Sequence, residues 1–133
     1  MPAELRRRVA ARAAGRCEYC LLPAEAEVET FHVDHTRPRW QGGRTTWENL
    51  ALACPVCNGG KHASIAAYDP ETDRPAFLFD PRRDAWADHF RLLGRRIEGR
   101  TAAGRATVWR LGMNEPAQQL KRARAVALGF TFP

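Results

Sequence analysis

The sequence predicts an α+β fold in a single domain, on three observations. Short runs that alternate apolar and polar residues, typical of strands, stand beside longer runs with apolar residues at helical spacing. All four cysteines fall in two Cys-x-x-Cys pairs, at 17 and 20 and at 54 and 57. A chain of 133 residues can bury one core but is too short for a second domain of ordinary size. We therefore expect residues 1–133 to form one domain, with a core over about 17–68 and additional elements over about 69–133.

The composition favours an anionic partner and argues against a membrane. Lys and Arg number 21 against 15 Asp and Glu, giving a net charge of +6, although many basic proteins bind no polyanion. No apolar run approaches the ~18 residues that cross a bilayer. The basic N-terminus lacks the apolar segment of a secretory signal. We expect a cytoplasmic protein with no membrane partner.

The chain should begin with a helix over Ala3–Ala14, because apolar residues recur there at helical spacing and Gly15 can cap its end. The opposite face is strongly basic and carries Arg6, Arg7, Arg8 and Arg12. Two interpretations of this face stay open: it is solvated, or it contacts phosphate.

The segment between the cysteine pairs should contain a strand and a turn. Residues 31–35 alternate in polarity, which predicts a short strand with Phe31 and Val33 buried and Asp34 projecting from the other side. Residues 45–48 fit a capping box, so a single helical turn should present Asn49 before the apolar run 50–53. A loop broken by Pro and Gly separates the two.

The second half of the sequence predicts further helices and strands. A helix should run from about Asn58 to Tyr68. The later elements are a strand over Ala76–Phe79, a helix from Asp84 to Gly94, a β-hairpin of Arg96–Thr101 with Arg105–Leu111, and a helix from Asn114 to about Gly129. Leu120 and Val126 of the last helix should face the core.

The two cysteine pairs predict a structural zinc site. Each Cys-x-x-Cys turn can present two thiolates to one tetrahedral ion, and the four sulfurs of Cys17, Cys20, Cys54 and Cys57 leave no coordination position open for a substrate. The remaining alternatives are a redox dithiol and an iron–sulfur centre.

The motifs VDH, a Gly-Gly loop, ENL and C-x-x-C-N-x-x-K, in this order, resemble the HNH endonuclease family in its four-cysteine zinc form. The resemblance covers residues 17–62. It implies a ββα-metal (His-Me finger) core stabilised by a four-cysteine zinc site. The residue patterns described above add flanking helices and a C-terminal β-hairpin plus helix to this core. The resemblance also implies roles for four residues: a catalytic-metal ligand at Asp34, a general base at His35, an Asn that holds the imidazole and shapes the loop at Asn49, and a second metal ligand at Asn58.

Residue chemistry supports the same assignment. A neutral imidazole can accept the proton that a water loses as it attacks phosphate. Oxygen ligands such as those of Asp34 and Asn58 suit a hard ion, Mg²⁺ or Mn²⁺. His62, four residues after Asn58 on the same predicted helical face, could add a third ligand, which would favour Ni²⁺, Mn²⁺ or Zn²⁺ over Mg²⁺. Lys61 either neutralises a phosphate or is simply solvated.

The expected activity is hydrolysis of phosphodiester bonds in DNA, by nicking or double-strand cleavage, with no small-molecule substrate and the oligomeric state left open. The expected nucleic-acid contacts are the loop arginines Arg37, Arg39 and Arg44. Trp40 and Trp47 either stack on bases or are buried beside the zinc. The alternative is a non-catalytic zinc-knuckle module that binds nucleic acid or protein.

Overall fold

Helices and short hairpins alternate along the chain in a computed structural model that describes residues 1–133. The five α-helices are α1 (Ala3–Arg12), α2 (Pro55–Lys61), α3 (Trp86–His89), α4 (Ala102–Leu111) and α5 (Pro116–Ala127). The six strands are β1 (His32–His35), β2 (Leu50–Ala53), β3 (Ala66–Asp69), β4 (Arg74–Phe77), β5 (Phe90–Leu93) and β6 (Arg96–Gly99). They pair as three antiparallel two-stranded sheets, β1 with β2, β3 with β4 and β5 with β6. The predicted mixture of helices and strands is confirmed.

The first sheet places the predicted strand and apolar run side by side. His32 pairs with Ala53 and His35 with Leu50, so β1 and β2 match along their whole length. All four residues of β2 are buried, as an uninterrupted apolar run requires. The first Cys-x-x-Cys turn lies along β2, where the Glu18 N–H donates to the Leu52 carbonyl at 2.8 Å. Helix α2 follows β2 after a single residue, Cys54.

Helix α2 begins and ends earlier than the sequence predicts. It spans Pro55–Lys61, whereas the prediction was Asn58 to Tyr68. The Sγ of Cys54 accepts a hydrogen bond from the Cys57 N–H, and Pro55 occupies the first helical position, so the second cysteine pair forms the first turn of the helix. His62 has a φ of 51°, which ends the helix at Lys61.

The C-terminal half contains two hairpins, β3 with β4 and β5 with β6, and neither has the pairing that was predicted. The segment 105–111 is helical in α4 because the Thr101 hydroxyl accepts from the Gly104 N–H at 3.0 Å and caps the helix. Strand β6 instead pairs with β5, whose residues were predicted to belong to a helix from Asp84 to Gly94. That helix is reduced to the four residues of α3. The predicted strand over Ala76–Phe79 is displaced to β4.

Helix α5 turns a different face to the core from the one predicted. Leu120 and Val126, expected in the core, are 62% and 54% exposed. Gln118, Arg122 and Ala125 are buried instead. The Arg122 guanidinium can be buried because it donates to main-chain carbonyls, to that of Arg95 at 2.8 Å and to that of Met113 at 2.6 Å.

One buried cluster joins both halves of the chain. It contains the cysteines and β2 together with Phe79, Phe90 and Ile97 from the C-terminal half. Trp86 donates from its indole N–H to the Tyr19 carbonyl at 2.8 Å. The elements after residue 68 therefore pack directly on the segment that carries the candidate site. None of the helices combines the length and the apolar character needed to cross a membrane.

Candidate metal centre and active site

The four cysteines converge on one point in the core. Their Sγ atoms all lie within 4.8 Å of one another, and all four residues are buried. The Cys20 and Cys54 sulfurs are 3.8 Å apart. A tetrahedral zinc ion with Zn–S bonds of about 2.3 Å requires sulfurs about 3.8 Å apart. The cluster therefore fits one four-coordinate zinc ion.

The surroundings of the cysteines suit thiolates. The Cys20 N–H donates to Cys17 Sγ at 3.5 Å and the Cys57 N–H to Cys54 Sγ at 3.4 Å. The Gln118 amide lies 3.8 Å from Cys54 Sγ. These donors can offset part of the negative charge of four thiolates around a divalent ion.

Arg122 supplies a positive charge beside the same sulfurs. Burial lowers the pKa of its guanidinium, while the charges of Cys20, Cys57 and Cys54 raise it. Its sequence position, well beyond the second cysteine pair, gives no signal of this electrostatic interaction.

His35 stands half-buried at the end of β1. Its Nε2 lies 2.8 Å from the Thr45 Oγ1, within hydrogen-bond distance, and its Nδ1 has no hydrogen-bond partner in the protein. Burial lowers the pKa of the imidazole, and the nearby Arg39 and Lys61 charges add to that effect, whereas Asp34 opposes it. The imidazole is therefore held in place by one nitrogen and favours the neutral form.

Asp34 lies in a buried network, although the sequence predicted that it would project from the strand. Its Oδ2 accepts from the Tyr19 hydroxyl at 2.6 Å and pairs with Lys61 Nζ at 3.0 Å. Oδ1 has only the longer contact to Lys61, at 3.4 Å. Burial raises the pKa of Asp34, and Lys61 and Tyr19 oppose that rise. The side of β1 that was expected to be open is covered by Tyr19 and Lys61.

Lys61 is itself buried, with 2% of its surface exposed. Its ammonium also donates to the His35 carbonyl at 3.0 Å. The interpretation of Lys61 as a solvated surface residue is therefore wrong. The side chain connects the last turn of α2 to both residues of the Asp34-His35 pair.

Asn49 closes the loop between β1 and β2. Its Oδ1 accepts from the Thr36 hydroxyl and from the Arg37 N–H, both at 2.9 Å. Its Nδ2 donates to the Arg37 carbonyl at 2.9 Å and to the Arg44 carbonyl at 2.8 Å. All of these bonds go to the loop, and none goes to the His35 imidazole. Gly43 is required here, since a Cβ at this position would lie 2.9 Å from Asn49 Nδ2 and closer still to the Arg37 carbonyl.

These features lie in a segment that a protein-family comparison also selects. Residues 17–64 match the HNH endonuclease family. The matched HNH segment is a little over a third of the chain and contains both cysteine pairs, β1, β2 and α2. No curated protein and no solved structure matches the chain.

Two further predicted residues of the HNH segment lie near the end of α2. Asn58 is half-buried on the helix, and its side chain makes no hydrogen bond to the protein. His62 is exposed beyond the helix, and its Nδ1 accepts from the Ala63 N–H at 2.8 Å. Because α2 ends at Lys61, the helical face that Asn58 and His62 were expected to share does not form.

The basic and aromatic residues of the HNH segment are distributed over its surface. Arg37, Arg39 and Arg44 are all exposed and none forms an ion pair. Trp40 is 65% exposed, with its indole N–H donating to the Ala63 carbonyl at 2.7 Å. Trp47 is half-buried under Arg12, whose guanidinium carbon lies 3.9 Å from the ring centroid.

Arg12 belongs to the basic face of α1, and it is partly structural. It donates to the Trp47 carbonyl at 2.8 Å and also to the Leu50 carbonyl. Both carbonyls flank Asn49, so α1 supports the turn that carries this residue. The contacts of Arg12, Tyr19 and Thr45 with the motif residues and their loop were not predicted from the sequence, because only the three-dimensional fold brings them together.

Proposed function

We propose that this chain is a metal-dependent endonuclease that hydrolyses phosphodiester bonds in DNA. The observation that carries the proposal is the position of His35 in the HNH segment, with one nitrogen held by Thr45 and the other free. A lowered pKa keeps this imidazole neutral near pH 7, which is the form that accepts a proton from water. In this proposal β1, β2 and α2 are the ββα-metal unit, and residues 1–133 act as one nuclease domain.

The proposed centres use different ligands for different purposes. Cys17, Cys20, Cys54 and Cys57 would hold a structural zinc ion. Asp34, through its less occupied Oδ1, and the unpaired side chain of Asn58 would hold Mg²⁺ or Mn²⁺. This ion would stabilise the charge that develops on the phosphate and on the departing oxygen.

The proposed residue roles follow the contacts. His35 Nδ1 would accept the proton of the attacking water, while Thr45 fixes the ring through Nε2. Lys61 would offset negative charge at Asp34 and at the bound phosphate. Asn49 would keep the loop in position, and Arg37, Arg39 and Arg44 would contact the DNA backbone. His62 would become a metal ligand only if the segment after α2 turned, in which case Ni²⁺ or Zn²⁺ would also suit the site.

Cleavage of supercoiled plasmid tests the proposal directly. The wild type should nick or linearise the plasmid with Mg²⁺ or Mn²⁺ and lose activity when the divalent ion is withheld, while one zinc ion per chain is retained. His35→Ala should lose at least a hundredfold in rate, because general base catalysis contributes about 10²–10⁴-fold. The matched control is His32→Ala on the same strand, which is exposed and should keep its activity.

The alternative is a non-catalytic zinc-containing module that binds nucleic acid or protein. The buried pair of Asp34 with Lys61 favours it, because each charge already has a partner when no metal is bound. Zinc-loaded, folded wild type that cuts no plasmid with Mg²⁺, Mn²⁺ or Ni²⁺ would support this alternative. Equal cleavage by the wild type and His35→Ala would remove His35 as the base.

A further inference from the structure

The second hairpin has an exposed face made only of apolar residues. β3 and β4 pair so that Ala66 lies opposite Phe77 and Tyr68 opposite Pro75. Directly paired residues share one face of a sheet. All four are exposed, Tyr68 by 60% and Phe77 by 75%. We call these four residues the hairpin face; the opposite face packs on α4 and buries Asp69.

Phe77 also connects the hairpin face to the candidate active site. It lines a cavity of about 420 Å³ together with Thr36 and Lys61 of the HNH segment. Thr36 follows His35 in the chain, and Lys61 contacts Asp34, so one wall of the cavity is formed next to the proposed catalytic residues. A volume of this size is within the ~300–1,000 Å³ of pockets that enclose small ligands.

Two arginines of the cavity lining can contact phosphate. Arg37 and Arg83 line it, and neither forms an ion pair within the protein. The two carboxylates in the lining accept from main-chain N–H groups: Asp80 from that of Arg82 and Asp84 from that of Asp80, each at 2.9 Å. Asp80 and Asp84 form no ion pair either, so the lining carries both signs, and Arg37 and Arg83 are the groups in it that can pair with a phosphate.

Exposed aromatic rings beside unpaired arginines are the features that bind single-stranded nucleic acid. Each base can stack on an aromatic ring while its phosphate meets a basic side chain. In a duplex the base faces are already stacked on one another, so Tyr68 and Phe77 could not reach them. A protein partner could bury the apolar residues of the hairpin face, but it would give no role to Arg37 and Arg83, which line the adjoining cavity.

We propose that the hairpin face and the adjoining cavity bind unpaired nucleotides of the DNA substrate, with bases stacked on Tyr68 and Phe77. This proposal rests on the proposed nuclease function and specifies its substrate class: DNA with a single-stranded stretch next to the bond that is cut. Duplex DNA would still contact the loop arginines through its phosphates, but without the stacking contribution.

Binding to labelled oligonucleotides tests the surface independently of cleavage. His35→Ala protein, without added divalent ions, is titrated into a fluorescein-labelled oligothymidine and into a duplex of equal length, and anisotropy is measured at fixed salt. The single strand should bind at least tenfold more tightly. Tyr68→Ser and Phe77→Ser, added to His35→Ala, should each weaken its binding about 5- to 150-fold, since stacking contributes about 1–3 kcal/mol per base.

Leu120→Ser in the same background is the matched control, because Leu120 is an apolar residue of α5 that is about as exposed as Tyr68. It should leave both affinities unchanged. Melting temperature and zinc content should be the same for all variants, since each changed side chain is exposed. Wild type with Mg²⁺ or Mn²⁺ should then cut gapped or flapped DNA faster than intact duplex.

The outcomes separate this proposal from the proposed function. Equal affinity for the two DNA forms, unaffected by Tyr68→Ser and Phe77→Ser, would overturn the surface assignment and leave the nuclease proposal standing. If the protein bound single strands selectively but cleaved no substrate, the hairpin face would be supported as a binding surface and the nuclease proposal would be overturned. If the two substitutions abolished a self-association seen by sedimentation velocity and left DNA binding intact, the hairpin face would be an interface between copies of the chain.

Discussion

Asn49 uses both its amide donors and its carbonyl oxygen to hold the loop that follows His35. The four bonds run to Thr36, Arg37 and Arg44, and no water is needed to complete them. An amide is the side chain that can donate to two carbonyls and accept two hydrogen bonds at once. The residue therefore organises the loop through its shape and its polarity together.

Asn49→Asp should show this requirement for an amide. The substitution keeps the size but places a carboxylate oxygen against the carbonyls of Arg37 and Arg44. We expect the free energy of unfolding to fall by about 1–3 kcal/mol, as measured by urea denaturation at pH 7. Thr46→Ala is the control within the same turn, since the Thr46 side chain makes no capping bond, and should change stability by less than about 0.5 kcal/mol. Similar losses in both variants would contradict the argument.

For single residues, the sequence identifies those of the motif but not the side chains that contact them in the fold. Asp34, His35 and Asn49 could be selected because neighbouring residues in the chain form a recognisable pattern. Tyr19, Thr45 and Arg12 could not, since their roles depend on contacts across 10 to 38 residues of sequence. The prediction that Asp34 would project outward was wrong for the same reason, because the covering residues come from other elements.

Helices α2 and α4 pack so closely that a glycine is required between them. A Cβ on Gly60 would lie 2.7 Å from the Leu111 Cα and 2.8 Å from the Arg110 carbonyl oxygen. The same approach allows the Arg110 guanidinium to donate to the Gly60 carbonyl at 2.9 Å. This contact joins the HNH segment to the C-terminal half.

Gly60→Ala should therefore destabilise the fold, whereas Gly59→Ala should not. The first forces two backbones apart and should lower the free energy of unfolding by about 1–3 kcal/mol. The second has no atom within 4 Å of the new Cβ, so it should leave stability unchanged or raise it by up to about 1 kcal/mol. Thermal denaturation followed by circular dichroism gives the melting temperature of each variant. Equal melting temperatures would contradict the close packing of α2 against α4 at Gly60.

Asp69 links β3 to α4 in a pH-dependent way. Its carboxylate pairs with the Arg105 guanidinium at 2.8 Å and also accepts from the Glu71 N–H. The hydrogen bonds from Arg105 are the main reason that the pKa of Asp69 is lowered from 3.8 to about 2. A lowered pKa means that the ionised carboxylate stabilises the fold above pH 3.8, and that this contribution is lost as the pH falls toward 2.

Asp69→Asn should reduce stability most at neutral pH, and the difference from wild type should shrink as the pH falls below about 4. The measurement is the difference in melting temperature between the two proteins at each pH at which both remain folded, because acid also protonates the zinc ligands in both. Glu71→Gln removes an exposed carboxylate near the same arginine and serves as the control with a small effect. If the difference in melting temperature between wild type and Asp69→Asn grew in acid, the predicted direction of the pH dependence would be wrong.

The ends of helices and strands could be predicted where residues close in the sequence determine them. The start of α1 was predicted from apolar spacing, and the bounds of β2 coincide with the uninterrupted apolar run 50–53. The C-terminal half was harder, because 90–93 and 105–111 contain apolar residues that fit either periodicity over so short a length. Their states are decided by pairing of β5 with β6 and by the Thr101 cap, and only the cap is local.

For the whole molecule, the cysteine cluster should decide whether the chain folds. Structural zinc contributes an apparent binding free energy of about 10–16 kcal/mol, as large as the ~5–15 kcal/mol stability of a typical domain. Cys54→Ser should therefore abolish the cooperative thermal transition, and a zinc chelator should do the same to the wild type. Restored folding when zinc is added back to the chelated wild type is the control. A cooperative melt of Cys54→Ser near the wild-type temperature would contradict this prediction.

Helix α2 has a consequence for how folding and catalysis would be connected. Its first turn carries Cys54 and Cys57, and its last residue is Lys61, only about 10 Å further along at 1.5 Å per residue. Asn58, the proposed metal ligand, follows Cys57 directly. No hinge separates the sulfurs from the residues that would act on DNA, so oxidation of a single thiol should unfold the chain and abolish the proposed nuclease activity in the same event.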